Sequence, residues 1–299
     1  MILYELIPFE YLRLTWWLIL GVLLIGFALT DGFDMGTGAL LPFVAKTDAE
    51  RRVVINTIGP VWEGNQVWFI LGGGAIFAAF PPLYAISFSS FYLVMFAILA
   101  ALIVRPVGFK FRSKREDPKW RARWDAALCF GGAAPALLFG VAVGNVLLGI
   151  PFYLTPDLLS IYDGPAFMKF FGLLRPFALL CGIVSLAMLV MHGAGWLVLK
   201  TEGAIADRAR RHGVTAAKVV LAGYALAGLW LAFFIDGYAL VNPPDPNGAS
   251  NPLASTVSRS GSWLSAYADR PWIAIAPAMG FLGTFMAMRA LRSGGQYSP

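Results

Sequence analysis

The amino-acid sequence predicts an all-α fold, a polytopic bundle of membrane-spanning helices, and three observations support this prediction. Hydrophobic residues make up 58% of the 299 residues and charged residues only 13%, whereas a soluble domain contains about 25% charged residues. The apolar residues fall into runs of the length that crosses a bilayer as a helix, about 20 residues. The basic residues are concentrated in a few short segments between these runs, which is typical of membrane proteins.

Seven apolar runs are long enough to be spans, and we treat residues 1–299 as one integral membrane domain. The runs are Leu12–Leu29, Val61–Phe80, Leu83–Val104, Ala126–Ile150, Phe170–Leu199, Ala216–Val241 and Trp272–Met288. Pro81 and Pro82 separate the second run from the third, because proline cannot continue a helix interior. All seven are predicted to be helices, since a single helix satisfies its own backbone hydrogen bonds in lipid.

The basic segments predict the orientation. Segments 105–123 and 200–218 are rich in Lys and Arg. Seven alternating spans place both on one side, together with segment 46–52 and the end of the last run. Because basic loops stay inside, we expect the N-terminus outside and the end of the seventh helix in the cytoplasm. The net charge of +6 therefore reflects membrane orientation, and we expect no nucleic-acid partner.

Two carboxylates, Asp31 and Asp34, lie three residues apart where the first run ends. Ionisable groups at membrane depth are costly and often mark proton or ion routes, so the pair could hold and release a proton. The alternative is an acidic helix end in the headgroup zone, with Gly32 and Gly36 ending the helix. The position at a span boundary slightly favours this second interpretation.

A second polar cluster opens the next run. Glu63 lies between Trp62 and Trp68, with Asn65 and Gln66 close by. The tryptophans fit the interfacial aromatic belt. Glu63 is either a proton relay or an acid that complements the positive end of the helix dipole, and both interpretations stay open.

Three further charged residues lie at or near the ends of apolar runs and are candidates for a proton path or a partner interface. Arg105 is interpreted mainly as an interface anchor whose head reaches the headgroups. Asp125 and Asp236 are boundary acids with the same ambiguity as Asp31.

The chain offers little for metal ligation. His192 is the only histidine inside a run, and a haem held between two helices needs a pair of axial ligands. No cluster has the spacing of a zinc or iron–sulfur site. Cys129 and Cys181 both lie inside apolar runs and are expected to be packing residues. We therefore expect no cofactor ligated by this chain.

Several motifs together resemble one known family. They include the segments 26–38 (GFALTDGFDMGTG), 62–68 (WEGNQVW), 105–109 (RPVGF) and 236–238 (DGY). In this order and spacing they resemble subunit II of cytochrome bd-type quinol oxidases, including the cyanide-insensitive relatives. Where this chain has Glu63, family members often carry Asp.

The resemblance implies a haem-bearing subunit I as partner, which binds haem b and haem d (or haem b only) and oxidises quinol. Subunit II would pack on it and help protons and oxygen to reach the haems. A small third subunit stays open, as do the quinone and the kind of haem. The family normally has nine helices, as two four-helix bundles plus one peripheral helix. We therefore expect this sequence to lack the last two.

The predicted function is the non-haem subunit II of a membrane quinol:oxygen oxidoreductase, in the plasma membrane of a bacterium or archaeon and in contact with lipid. Two alternatives remain. A proton- or ion-coupled transporter is suggested by the boundary carboxylates and by the repetition of Asp31-Gly32-Phe33 in Asp236-Gly237-Tyr238. A purely structural membrane scaffold would use its carboxylates only in contacts.

Overall fold

A computed structural model describes residues 7–165, 168–248 and 251–293 of the chain. Within these ranges the α-helices are α1 (Phe9–Val44), α2 (Asp48–Ile58), α3 (Trp62–Ala79), α4 (Pro81–Ser90), α5 (Tyr92–Phe111), α6 (Pro118–Leu148), α7 (Met168–Phe171), α8 (Pro176–Lys200), α9 (Gly203–Phe234), α10 (Ser265–Asp269) and α11 (Ile275–Ser293). The strands are β1 (Phe152–Leu154), β2 (Ser160–Tyr162), β3 (Asp236–Leu240) and β4 (Val257–Ser262).

Three long helices, α1, α6 and α8, pack against one another at the centre of the bundle. Helix α3 packs on α1 and helix α5 on α6, whereas α9 packs on α8 and α11 on α9. The result is a helical membrane bundle, as the sequence predicts, with two small antiparallel hairpins, β1–β2 and β3–β4, that the sequence did not predict.

Glycines allow the central helices to approach closely. A Cβ atom on Gly36 of α1 would overlap the carbonyl oxygen of Leu189 on α8, and one on Gly193 would overlap the backbone of α1. A Cβ atom on Gly132 of α6 would likewise overlap the carbonyl oxygen of Met35. Small residues at helix crossings are how membrane helices bring their backbones together, so these glycines hold α1 between α6 and α8.

The two ends of the bundle differ in chemistry. At the end that we call the basic end, α1, α5 and α8 finish, α6 and α9 begin, and α2 lies across them. A buried apolar cluster closes this end, with Leu41, Val44, Val54, Leu128 and Leu197 among its members. The opposite end, which we call the hairpin end, carries both hairpins.

Each of the seven predicted runs contains a helix, with shifted boundaries. The sixth run was predicted to be helical to Val241, which is wrong: α9 ends at Phe234, and Asp236–Leu240 form strand β3. In the described part of the chain, six helical segments are long and apolar enough to cross a membrane: Phe9–Val44, Tyr92–Lys114, Pro118–Leu148, Pro176–Lys200, Gly203–Phe234 and Pro271–Ser293. The remaining run is α3, an 18-residue helix whose first five residues include Glu63, Asn65 and Gln66. The predicted run Leu83–Val104 is interrupted, since α4 ends at Ser90 and α5 begins at Tyr92.

The first helix is the largest departure from the prediction. It continues to Val44, well beyond the predicted end at Leu29. Gly32 and Gly36 do not end it, because both face α8 in close packing. Asp31 and Asp34 therefore lie inside a long helix, and both are fully buried. The interpretation of these two residues as an acidic helix end, with Gly32 and Gly36 ending the helix, is wrong.

Candidate functional site: a buried carboxylate pair

Asp31 of α1 forms a buried ion pair with Arg105 of α5. The two guanidinium nitrogens Nη2 and Nη1 donate to the two carboxylate oxygens of Asp31 at 2.9 and 3.2 Å. The side chain of Arg105 is 2% exposed and that of Asp31 is 0% exposed. Two parallel bonds from one guanidinium fix both groups in one geometry, so Asp31 has a complete partner. Arg105 is thus not the headgroup anchor that the sequence suggested.

Helix α6 makes the room that Arg105 needs. A Cβ atom on Gly131 would lie 2.9 Å from Cγ of Arg105 and 3.0 Å from the carbonyl oxygen of Ala101. The arginine stem therefore crosses the face of α6 at a position where only a hydrogen fits. This contact directs the guanidinium inwards, to α1.

Asp34 lies one turn further along α1 and is less well compensated. Spacing of three residues puts it on the same face as Asp31. Its Oδ2 accepts a hydrogen bond from Asn65 Nδ2 of α3 at 2.9 Å and lies 3.9 Å from Arg105 Nη2. Its Oδ1 is buried and has no hydrogen-bond partner among the described residues. The two carboxylates, which we call the buried carboxylate pair, therefore differ in how they are satisfied.

The charges of this cluster do not balance. Two carboxylates face one guanidinium, so the fully ionised cluster carries one net negative charge at a buried position. An uncompensated buried charge is strongly unfavourable, whereas a proton on the pair makes the cluster neutral. The arrangement can therefore take up and release one proton.

A small cavity adjoins Asp34 on the side of the basic end. Its volume is ≈ 10 Å³, about the minimum that one water molecule needs. Asp34, Thr37 and Arg105 contribute polar groups to its lining, and the remaining side chains of the lining are apolar: Leu41, Val54, Ile55, Ile58, Phe109 and Leu128. Oγ1 of Thr37 is buried without a hydrogen-bond partner among the described residues, like Oδ1 of Asp34.

A second ionic cluster lies at the basic end, and we call it the basic-end network. Asp125 of α6 accepts hydrogen bonds from Nε of Arg112 and, at 2.9 Å, from Nη1 of Arg51. Asp48 of α2 accepts from Arg112 Nη2 at 2.8 Å and from Arg121 Nη1 at 2.7 Å. The network thus fastens α2 to the end of α5 and the start of α6.

Glu50 links α2 to α9 and caps the N-terminus of α2. The backbone N–H groups of Lys46 and Thr47 donate to Glu50 Oε2 at 2.6 and 3.3 Å, and Arg208 Nη2 donates to Oε1 at 2.6 Å. The Lys46 N–H first, and then Arg208, lower the pKa of Glu50 to about 2. The guanidinium of Arg112 lowers the pKa of Asp48. Both acids therefore stay ionised at neutral pH.

The residues of the second polar cluster point in different directions. Glu63 is exposed and makes no hydrogen bond or ion pair with any residue that the structure describes. Asn65, two residues further along α3, instead donates its hydrogen bond to Asp34. Trp62 is buried against Phe109, with ring centroids 5.4 Å apart.

The other sequence candidates take structural positions. Trp68 packs on Gly26, where a Cβ atom would meet its ring, and Gln66 is half-buried on α3. Asp236 is exposed at the start of β3, at the hairpin end, so it lies far along the bundle from the buried carboxylate pair.

The sequence did not single out Thr37, Arg51 or Arg112. Arg112 carried a signal, because it lies close to the long apolar run that ends in Arg105 and has an acid, Asp125, near the start of the next run. Thr37 carried no signal beyond its spacing of three residues from Asp34.

Metal ligation is not evident in the described ranges. No group of three or more His, Cys, Asp and Glu side chains there could hold a metal ion. His192 Nε2 donates to the carbonyl oxygen of Leu29 at 2.9 Å, so this ring joins α8 to α1.

The fold and the site define a class of protein: a multi-span membrane protein with buried ionisable groups between its helices. Comparison with known families is more specific. The family model described as cytochrome bd terminal oxidase subunit II matches residues 12–298. The chain belongs to this family.

Curated relatives agree with this assignment. The chain is 48% identical over 282 residues to the "Probable cytochrome oxidase subunit 2" of Haemophilus influenzae, an alignment that covers 94% of this chain and 73% of the relative. It is 48% identical over 276 residues to the "Cytochrome bd-I ubiquinol oxidase subunit 2" of Escherichia coli K12, covering 92% and 72%. Identity to the "Cytochrome bd ubiquinol oxidase subunit 2" of Bacillus subtilis is 36% over 196 residues, covering 66% and 56%.

Proposed function

We propose that this chain, as subunit II of a terminal quinol oxidase, conducts protons through the buried carboxylate pair to a haem-bearing subunit I. In this proposal subunit I binds haem b and haem d, or haem b alone, and oxidises quinol. Those haems transfer the electrons of quinol to oxygen. The contribution of this chain is a protonatable group inside the membrane, the buried carboxylate pair, which Arg105 and Asn65 hold in place.

One observation carries the proposal: two buried carboxylates share one guanidinium. A structural ion pair needs equal charges, as in Asp31 with Arg105. The additional carboxylate of Asp34 lies 3.9 Å from a guanidinium that is already paired with Asp31, yet it is fully buried. A group that costs free energy when ionised and is neutral when protonated is suited to proton transfer.

The positive-inside rule supports entry of protons from the cytoplasm. The basic end holds Arg51, Arg112, Arg121 and Arg208, so we assign it to the cytoplasmic side, with the hairpin end outside. Asp34 and its cavity are nearer to the basic end than Asp31. Labelling of a single cysteine at position 115 in intact cells by an impermeant reagent would overturn this orientation.

Glu63 is suited to a different step of the proposed proton transfer. It lies on the outside of α3, and the neighbouring positions Val67, Ile70 and Leu71 on this helix are also exposed. An exposed acid beside an apolar surface at the start of a helix is accessible to water or to a partner. We assign to it the uptake or delivery of protons at the surface of this subunit, where subunit I or lipid lies.

Substitution of Asp34 by Asn in the assembled oxidase tests the proposal. Asn keeps the shape and the acceptor for Asn65 but cannot carry a proton. We expect Asp34→Asn to keep the haem content of the complex and to lower oxygen consumption with quinol by at least about tenfold, the effect of about 1.4 kcal/mol on the barrier.

Asp207→Asn is the matched control, because this carboxylate is exposed and, among the described residues, pairs only with Arg210 of its own helix. It should leave both haem content and turnover unchanged. A scaffold role predicts instead that Asp34→Asn either prevents assembly or has no effect on turnover. An assembled Asp34→Asn complex with wild-type turnover would therefore contradict proton transfer through the pair.

A further inference from the structure

The cavity beside Asp34 combines features that define a ligand site for a very small polar molecule. Two buried polar side-chain atoms, Asp34 Oδ1 and Thr37 Oγ1, lack a hydrogen-bond partner in the described chain. Both residues line the same cavity and both are 0% exposed. Buried polar atoms without partners are rare in folded proteins, and ordered water satisfies many of them.

We propose that this cavity binds one water molecule between Asp34 and Thr37, and that Thr37 is a positioning residue for proton transfer by the buried carboxylate pair. The water donates a hydrogen bond to Oδ1 of Asp34. The hydroxyl of Thr37 donates to the water or accepts from it. The inference rests on the proposed function for its role in turnover, but not for the water site itself.

The size and chemistry of the cavity favour water over a metal ion. Its volume of ≈ 10 Å³ accommodates about one water molecule. Divalent cations such as Ca²⁺ take six or more oxygen ligands, whereas most of the lining here is apolar side chains such as Ile58 and Phe109. Two unsatisfied oxygens match the two to four hydrogen bonds of a buried water.

The position of Thr37 places this water on the side of Asp34 that faces the basic end. Helix α1 runs from the hairpin end to the basic end, so Thr37 lies three residues, or about 4.5 Å, nearer to the basic end than Asp34. Val54 and Ile58 of α2 line the cavity, and the same helix carries Asp48 and Arg51 of the basic-end network. The water is therefore the next proton position on the way from the basic end to Asp34. An additional proton that arrives on it can pass to Asp34 Oδ1, which leaves a neutral water.

The surroundings of Asp34 contain few other charges. On α1 it faces Asp31, from α5 it faces Arg105, and from α3 it faces the neutral amide of Asn65. On the side of α8, His192 lies beyond Gly32. From α2 and α6 the cavity receives only apolar groups: Val54, Ile55, Ile58 and Leu128. Removing the Thr37 hydroxyl thus changes the hydrogen bonding of Asp34 without removing a charge.

Two substitutions of Thr37 in the assembled oxidase separate this role from packing. Thr37→Val keeps the shape and loses the hydroxyl, whereas Thr37→Ser keeps the hydroxyl and loses a methyl group. We expect Thr37→Val to lower turnover about tenfold at unchanged haem content, which corresponds to about 1.4 kcal/mol, and Thr37→Ser to restore most of it. Thr284→Val on α11 is the control, because its hydroxyl donates to the carbonyl oxygen of Gly280 within its own helix. This substitution should not change turnover.

A structure of the complex at a resolution that shows water tests the site directly. We expect density within hydrogen-bond distance of Thr37 Oγ1 and Asp34 Oδ1 in the wild type and in Thr37→Ser, and none in Thr37→Val. Density surrounded by five or more oxygens at metal distances, or no density in the wild type, would overturn the water site. Wild-type turnover of Thr37→Val would overturn the positioning role. If Asp34→Asn turns over normally while the water is present, the proposed function fails and the water site stands.

Discussion

The buried carboxylate pair and the basic-end network use the same residue types in opposite proportions. In the pair, two carboxylates share one guanidinium, and Asp34 Oδ1 lacks a partner among the described residues. In the network, Asp125 and Asp48 are shared by three arginines, and Asp48 is 41% exposed. An excess of buried carboxylates over arginines favours the binding of one proton. The excess of arginines at the basic end joins the ends of α2, α5 and α6.

Removal of Arg105, the arginine beside the buried carboxylate pair, should have the largest effect on assembly and stability. Arg105→Gln leaves two buried carboxylates without a cation, and breaking a buried ion pair costs about 3–5 kcal/mol. We expect little or no assembled, haem-containing oxidase from this variant. The measurement is the yield of the complex and the midpoint of its thermal unfolding.

A double substitution distinguishes charge from shape at this site. Asp31→Asn in the Arg105→Gln background removes the carboxylate that the arginine neutralised, so part of the assembled complex should return. Coupling of this kind is expected for residues in direct contact. Normal assembly and thermal stability of Arg105→Gln alone would show that the guanidinium is not needed to stabilise the pair.

In the basic-end network, the stability lost when an acid is substituted should depend on how deeply that acid is buried. Asp125 is 4% exposed and faces Arg112, which is 2% exposed, so Asp125→Asn leaves a buried guanidinium with a weaker partner and should cost about 2–3 kcal/mol. Asp48→Asn at the more exposed position should cost only about 0–1 kcal/mol. Thermal unfolding of the two complexes measures the difference. Equal destabilisation would mean that burial does not determine the strength of this network.

Glu63 tests whether an exposed acid contributes to turnover as well as a buried one. Glu63→Gln should preserve assembly and haem content and lower oxidase turnover, because it removes the proton-carrying group. Glu63→Asp should retain much of the activity. Glu202→Gln is the control, an exposed acid at the start of α9. If the Glu63→Gln complex turns over at the wild-type rate, Glu63 is only a helix-end acid.

The sequence predicted the helical membrane fold because long apolar runs have few other solutions in lipid. It also identified Asp31, Asp34 and Asn65 as candidates. The partners of these residues could not be read from the sequence, since Arg105 meets Asp31 across 74 positions and only through the packing of α5 on α6. The end of the first helix was misplaced because glycine has two uses: Gly32 and Gly36 permit close packing here, whereas the prediction took them as a helix stop.

The hairpins and the break between α4 and α5 were not predicted for a related reason. Strands β1 and β2 have three residues each, too short for a recognisable alternation. The break at Phe91 lies inside an apolar run, where hydrophobicity alone does not mark a boundary. Both features depend on packing at the hairpin end.

The smallest predicted effect concerns Glu50, the acid of α2 that lies outside the network. Its pKa is lowered to about 2 from the ordinary 4.5. A group with a lowered pKa in the folded state stabilises the protein above its ordinary pKa, and this contribution is lost as the pH falls through the folded value. The thermal midpoint of wild type should therefore exceed that of Glu50→Gln by a constant amount above about pH 5, and the difference should shrink towards about pH 2.

Arg208→Gln sharpens this last comparison. Because the Lys46 N–H lowers the pKa of Glu50 more than Arg208 does, the variant should keep part of the pH dependence of the wild type. The loss should be small, since solvent screens ion pairs near the surface. A difference between wild type and Glu50→Gln that grows as the pH falls below about 4 would have the wrong sign for a lowered pKa. In that case the capping contacts of Glu50, and not its charge, hold α2 across the basic end.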